Sequence, residues 1–264
     1  MFRRTNLVVA VATMIFSAAV ANAQVNGCGG LPGWAQLKSA LVAATQTETS
    51  GLNNQMWGTI VDRDGVVCAV AFTGNDRTSQ WPGSRVISAQ KANTANAFSL
   101  DSGSNSNGSG QASGLALSTA NLYSAVQPGG SLFGLQESNP VSTSAAYSSG
   151  GSDRYGQTTD PMTGTKIGGV NVFGGGLALY GAGQAVVGGL GVSGDTSCAD
   201  HMIAWRVRNL LGLDHLLGVG GVSGDSSRPD NIVYDISKGE SAGGFGQPKC
   251  INTGDQTKLP AVQK

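Results

Sequence analysis

The sequence predicts an α+β domain in which two β-hairpins supply an antiparallel sheet and amphipathic helices pack on it. Three observations carry that expectation. Residues 168–211 hold two short apolar runs, Leu177–Tyr180 and Ala185–Val192, broken by the turn Gly181-Ala182-Gly183-Gln184, which is the pattern of a buried hairpin. A second pair of runs, Asn53–Asp62 and Val66–Phe72, flanks the turn signal Asp62-Arg63-Asp64-Gly65. Three further stretches place apolar residues at helical spacing and lie before, between and after the hairpins.

The elements follow in chain order. Residues 1–23 read as a secretion signal: Arg3 and Arg4 form the basic end, Leu7–Val20 is mostly apolar, and Ala21-Asn22-Ala23 is a small-x-small cleavage site before Gln24. Leu7–Val20 is too short for a bilayer span, so the mature chain is expected outside the cytoplasm, in the periplasm or secreted, with no membrane contact once the leader is removed. From Trp34 to about Thr47, Leu37, Leu41 and Ala44 mark one helical face. The hairpin over 53–72 comes next. Pro82-Gly83-Ser84 then punctuates the chain, with Ser84 a good cap for a helix over Arg85–Phe98 whose apolar face holds Ile87, Ala92, Ala95 and Phe98. Lys91 is the sole lysine of that helix and reads either as a solvated side chain or as a pocket cation.

Residues 99–166 read as a long Ser/Gly-rich insertion. Asp101–Ser113 is nearly all Ser, Gly and Asn and cannot bury enough apolar surface to offset its ordering entropy. Leu115–Val126 reads as a short helix, and Gln127–Lys166 is again rich in Gly, Ser and Thr. After the second hairpin, Asp195, Thr196 or Ser197 can cap a helix running to Leu211, with Met202, Trp205, Leu210 and Leu211 on its apolar side and Arg206 and Arg208 toward water. The GVSGD of Gly221–Asp225 repeats Gly191–Asp195 without repeating the hairpin around it. Asn231–Ile236 reads as a last short strand, and 237–264 as a loosely held tail. A single domain over 24–236 results.

Composition narrows the function. Removing 23 of the 264 residues leaves 241, with 14 basic against 16 acidic side chains, and the chain is only 12% charged. No basic patch appears, so nucleic acid is excluded as an expected partner. Cys28, Cys68, Cys198 and Cys250 make an even count in a chain read as exported, which points to disulfides. Four cysteines allow three pairings and spacing does not choose among them. The pairing Cys28–Cys68 with Cys198–Cys250 is the working expectation, each bond tying a terminal segment to the domain body. No Cys-x-x-Cys-His occurs, so covalent haem attachment of the c type is excluded, and no Walker loop or dinucleotide fingerprint occurs in a strand–helix context.

Three blocks resemble the haem-binding HbpS-like or GlcG-like domain, also labelled haem-degrading. The first is Ile60-Val61-Asp62 with Gly65 and Val66–Phe72. The second is Ser84, Ile87, Lys91-Ala92, Thr94-Ala95 and Phe98, similar to the helix pattern S-x-x-I-A-x-x-K-A-x-T-A-x-x-F. The third is Gly175-Gly176-Leu177, Leu179-Tyr180, Gly183, Val187-Gly188 and Gly191-Val192-Ser193-Gly194, similar to P-G-G-x-P-L … G-x-x-V-G-x-x-G-V-S-G. Ser88 stands where alanine is usual, and Gly174 and Ala178 where prolines are common. The 99–166 insertion is longer than the usual connection, and the cysteines suggest an exported branch. The resemblance implies a profilin-like fold, frequent assembly into homo-oligomers, and links to haem or corrinoid binding and redox sensing. It implies no agreed catalytic constellation.

The residues and the resemblance together place a ligand site at the start of the last helix. Its free amides and positive dipole end suit a carboxylate or haem propionate. Ser193 and Gly194 let a ligand approach the backbone, Asp195 competes for the same field or caps the helix, and Lys91 supplies a second positive group. His201 is a candidate axial ligand for haem. Cys198 and His201 share a helix side but lack further zinc ligands. Ser193, Asp200 and His201 hold the residue types of an acyl-transfer site, yet adjacent Asp200 and His201 point to different sides. The leading expectation is an exported haem- or tetrapyrrole-binding module with a sensing or carrier role. An enzyme acting on haem or a small organic acid, and a structural oligomer without ligand, are the alternatives.

Overall fold

The computed structural model describes residues 27–104, 113–148 and 150–264. The leader expected over 1–23 and part of the flexible stretch expected within 101–113 lie outside them. Helix α1 (Trp34–Thr47) leads into strands β1 (Trp57–Asp62) and β2 (Val67–Phe72), then helix α2 (Ser84–Phe98). Short helices α3 (Leu135–Ser138) and α4 (Thr143–Ala146) precede strands β3 (Gly176–Tyr180) and β4 (Val186–Ser193) and helix α5 (Ser197–Leu210). A two-residue pair, β5 (Ile236–Ser237) and β6 (Glu240–Ser241), follows. The main sheet has the order β2-β1-β4-β3 and every pairing is antiparallel. This is the α+β fold that the hairpin and helix patterns predict.

The alternation of β1 shows how the sheet is covered. Gly58 faces Leu37 and Leu41 of α1, and Ile60 joins their cluster. On the other face the Thr59 hydroxyl lies 2.8 Å from that of Ser88 in α2, and Val61 packs with Val86 and Ala89. Successive side chains of a strand point to opposite faces, so one face carries α1 and α5 and the other carries α2. The α2 face is unusually close. A β-carbon at Gly189 would overlap the Ala92 carbonyl oxygen, one at Gly191 that of Ser88, and one at Gly176 that of Lys91. These strand positions hold no side chain because the helix backbone occupies the space a side chain needs.

Several segments depart from expectation. Helix α2 begins at Ser84 itself, whose amide donates to Trp81 O at 2.9 Å. Leu115–Val126 forms two 3-10 turns, Thr119–Leu122 and Ser124–Val126, rather than one helix. Within 99–166, Leu117, Leu122 and Val126 pack on Val170 and Val172, while Ala145, Ala146 and Met162 join the core under α2. The described parts of this stretch therefore build a layer over the outer side of α2. The strand expected over Asn231–Ile236 shrinks to the β5–β6 pair. The tail is anchored rather than loose: Leu259 and Val262 are buried, and Trp205 Nε1 donates to Pro260 O at 2.9 Å. Irregular segments like these carry no periodicity, so only their partners reveal that they pack.

Both disulfides take the expected pairing, Cys28–Cys68 and Cys198–Cys250. Among the described residues no helix is long and apolar enough to cross a membrane.

Gly191→Ala is expected to lower unfolding free energy by more than about 2 kcal/mol, because the added methyl meets rigid helix backbone. Gly183→Ala, at a φ of 79° in an open turn, should cost only about 1 kcal/mol of backbone strain. Urea unfolding of both variants checks the order, and a smaller loss for Gly191→Ala contradicts the packing account.

Candidate functional site

The expected site residues do meet, at the junction of α2, β4 and α5. Strand β4 ends at Ser193, Gly194 turns the chain at a φ of 158°, and Thr196 caps α5 by accepting from the Ala199 amide at 3.3 Å. Asp195 does not cap α5. Its carboxylate accepts from the Leu52 and Asn54 amides, each at 2.8 Å, and so pins the loop before β1. Its own amide donates to Asp200 Oδ1 at 2.9 Å. The other oxygen of Asp200 receives Lys91 Nζ at 2.7 Å, and Lys91 also donates to Val192 O at 3.1 Å. Lys91 Nζ stands 4.7 Å from the centre of the Phe173 ring. One ammonium thus joins α2, β4 and α5.

This arrangement corrects the expectation of bare amides facing a cavity. The amides of Asp195, Thr196, Cys198, Ala199 and Asp200 all donate to protein atoms. Space is lacking as well. A β-carbon at Gly175 would lie 2.9 Å from both Lys91 Nζ and Asp200 Cβ, and one at Gly194 would lie 3.0 Å from Met56 Cα and overlap Gln55 O. Where a methyl group does not fit, neither does a propionate or a macrocycle edge. Lys91, Ser193, Asp195 and His201 are all buried. Lys91 is therefore neither solvated nor a pocket cation; it is half of a buried ion pair.

Burial sets the electrostatics. It pushes the Asp200 carboxyl up to about 6 against the downward pull of Lys91, and it lowers Lys91 against the support of Asp200. His201 is fully buried, and neither ring nitrogen has a partner among the described residues. Burial pushes it down to about 4, with Asp230 pulling up and Arg208 and Lys91 pushing further down. At neutral pH the ring is therefore uncharged. With Asp200 held by Lys91 and His201 unpaired, no serine–histidine–aspartate relay is assembled. Cys28, Asp62 and Cys68 form a potential metal-ligand cluster, but the two sulfurs are bonded to each other.

Three buried charged groups, Arg208, Lys91 and Asp230, lie where apolar spacing does not place a charge. Arg208 is fully buried, not toward water, and holds Asp230 through Nη1 at 2.5 Å and Nη2 at 3.0 Å. The available signal is position: Arg208 lies three residues after Trp205 and seven after His201, on the inward stripe of α5. Lys91 likewise lies three residues after buried Ser88. Asp230 carried no sequence signal.

A wide surface groove lies elsewhere among the described residues. It encloses about 810 Å³ between Gly29–Pro32, α1 and the C-terminal end of α5, with Leu31, Pro32, Ala40, Ala43, Leu210 and Leu211 in its wall. None of the expected site residues lines it.

Residues 35–208 match the family described as haem degrading protein HbpS-like. The chain belongs to the HbpS-like family. The HbpS-like segment runs from α1 to Arg208, and so holds the four-stranded sheet and the three long helices while leaving out Cys28, Asp230 and Cys250. Solved structures similar to the chain include a PduOC–haem complex (23% identity, covering 67% of this chain and 89% of that one, TM-score 0.42). A Klebsiella pneumoniae protein, ORFY, gives 23% identity over 76% of this chain and 97% of that one, with a TM-score of 0.42. A double mutant of HbpS from Streptomyces reticuli gives 15% identity over 78% and 99%, with a TM-score of 0.40. No curated protein matches the chain.

The depressed His201 value fixes the sign of a pH effect. The unfolded ring binds a proton near 6.5 and the folded one only near 4, so the stability its neutrality contributes is present above 6.5 and lost as pH falls toward 4. Asp200 acts oppositely over the same range. The wild-type minus His201→Gln difference in unfolding free energy isolates the histidine, and is expected to grow by up to about 3 kcal/mol from pH 4 to 6.5. Urea titrations at several pH values check it, and a pH-independent difference contradicts the buried neutral ring.

Proposed function

We propose that this HbpS-like protein is an exported haem- or tetrapyrrole-binding protein that holds its ligand in the apolar groove between α1 and the end of α5. The observation that carries the site is the contrast between a filled glycine bend and an open groove of about 810 Å³, a volume within the range of small-molecule sites. The family's description supplies the ligand class. Leu210, 56% exposed at the groove edge, is the sort of apolar surface a macrocycle covers.

Haem fits this groove only as an apolar plate. The wall holds no His, Cys, Met or Tyr to ligate iron, and no Lys or Arg for the propionates, which would remain in water. His201, the axial ligand expected from the sequence, is fully buried and does not line the groove. The two disulfides support export, since such bonds persist in oxidising compartments, and they agree with the leader read over 1–23. A carrier role suits a groove that binds without ligating iron, and a homo-oligomer that buries Leu210 is the competing use of the same face.

Titration of the mature, disulfide-intact protein with ferric haem, followed in the Soret band, tests the proposal. Saturable binding is expected, weakened about tenfold or more by Leu210→Asp and Ala43→Trp, which remove or fill apolar surface, and unchanged in His201→Ala. The reverse pattern overturns the groove and restores the bend. No binding, together with light scattering that shows dissociation of an oligomer in Leu210→Asp, favours the scaffold. Mass spectrometry of exported protein should find Gln24 as the first residue.

A further inference from the structure

One wall of the groove is not a helix. Residues 29–32 run along it, and Gly29, Gly30 and Leu31 also line a second cavity of about 620 Å³ on their other side. This strip is therefore a partition between two open spaces. The second cavity is polar where the groove is apolar: Asp62, Asp64 and Asp101 line it, and Arg63 is the one cation among its described lining residues. We propose that the Cys28–Cys68 disulfide is a thiol-reducible latch that holds this partition in place and so sets the ligand affinity of the groove. The inference rests on the reading of the groove as a ligand site and adds how that site is regulated.

The strip is held by little besides the disulfide. Residues 27–30 form a 3-10 turn. Beyond that turn's own bonds, residues 27–32 make one backbone hydrogen bond among the described residues, from the Leu31 amide to Cys28 O at 3.2 Å, and it lies within the strip. A β-carbon at Gly29 or Gly30 would meet nothing within 4 Å. Leu31 packs, half-buried, on the core. The bond to Cys68 is the covalent tie between the strip and β2.

The two disulfides differ in access. Cys28 and Cys68 are both half-buried, and the glycines on either side of Cys28 are exposed. In the other bond Cys198 is 1% exposed, and Cys250 Sγ accepts the Cys198 amide at 3.2 Å. Exchange begins when a thiolate attacks a disulfide sulfur, so access decides which bond opens first. The thiolate of a dithiol attacks one sulfur of Cys28–Cys68, breaks the S–S bond and forms a mixed disulfide. The second thiol of the reductant then displaces the protein sulfur. The reductant leaves as a cyclic disulfide, and Cys28 and Cys68 keep two electrons and two protons as free thiols.

Opening the latch acts on the groove in two ways. Leu31 and Pro32 give the groove apolar wall, and a freed, glycine-rich strip must be ordered again whenever a ligand binds. The partition also separates the groove from three carboxylates, which repel an anionic ligand once the strip moves aside. Both effects weaken binding, and the second acts on haem through its propionates.

The test uses the mature protein with both disulfides formed, the same protein treated with dithiothreitol, and the double variant Cys28→Ser with Cys68→Ser, which leaves Cys198–Cys250 intact. Alkylation and mass spectrometry during the treatment are expected to find Cys28 and Cys68 modified before Cys198 and Cys250. In the opened forms the heteronuclear NOE of the Gly29, Gly30 and Leu31 amides is expected to fall, while that of α1 stays high. Nile red, a neutral apolar dye, and ferric haem are each titrated, and both are expected to bind the opened forms about tenfold or more weakly. Reoxidation of the treated protein restores the affinity. The latch is overturned if Cys198–Cys250 opens first, if the strip stays as rigid as α1, or if the opened forms bind Nile red as tightly as the closed one. Loss of haem binding alone in the closed protein overturns haem as the ligand and leaves the latch to be judged on Nile red. Binding of neither probe to the closed protein overturns the groove itself, and the latch with it.

Discussion

The structure depends on one close contact, the seating of the α2 backbone on strand positions that carry no side chain. Gly176, Gly189 and Gly191 each sit where a β-carbon would strike a carbonyl oxygen of α2. Close-packed interiors transmit such constraints without slack. Glycine loses more chain entropy on folding than other residues, so three of them in paired strands are a cost that the helix contact must offset. The contact also draws α2 so far inward that ten of its fifteen residues are buried, and the segment after it must then cover its outer side.

Burying α2 brings its polar residues inside, and their pairing decides the rest of the interior. Lys91 cannot remain charged there without a partner, and it finds Asp200 on α5 and the Val192 carbonyl on β4. Arg85 takes Asp160 from the covering layer, and Arg208 takes Asp230 from the segment after α5. Each pair joins elements distant in sequence. Breaking a buried pair costs far more than the pair gains over an apolar replacement, so these pairs specify one packing more than they add stability. His201 and Trp57 are exceptions to satisfaction, since each keeps a buried ring nitrogen without a partner. None of these ring nitrogens is exposed to solvent.

The glycine-rich signature around β3, β4 and the bend has the composition of an anion-binding turn, and the structure assigns it to packing. Glycine appears both where a ligand must approach backbone and where another segment of protein does, and the residue alone does not separate the two. At Gly175 and Gly194 the space is filled by Lys91, Asp200 and the loop before β1.

By itself the sequence determined the local elements: α1, the second hairpin, α2 and α5 lie within a residue or two of where apolar spacing, turn residues and caps put them, because those signals act over a few residues, while β1 starts at Trp57, four residues after the run expected from Asn53. It did not reveal which irregular segments pack, that Lys91 and Arg208 would be buried, or which glycines face protein rather than solvent. Those outcomes rest on contacts between residues tens to more than a hundred positions apart, such as Lys91 with Asp200 and Arg85 with Asp160. Only the folded chain decides them, since a buried charge or an empty strand position is stable solely in the presence of the distant group that pairs with it or fills it.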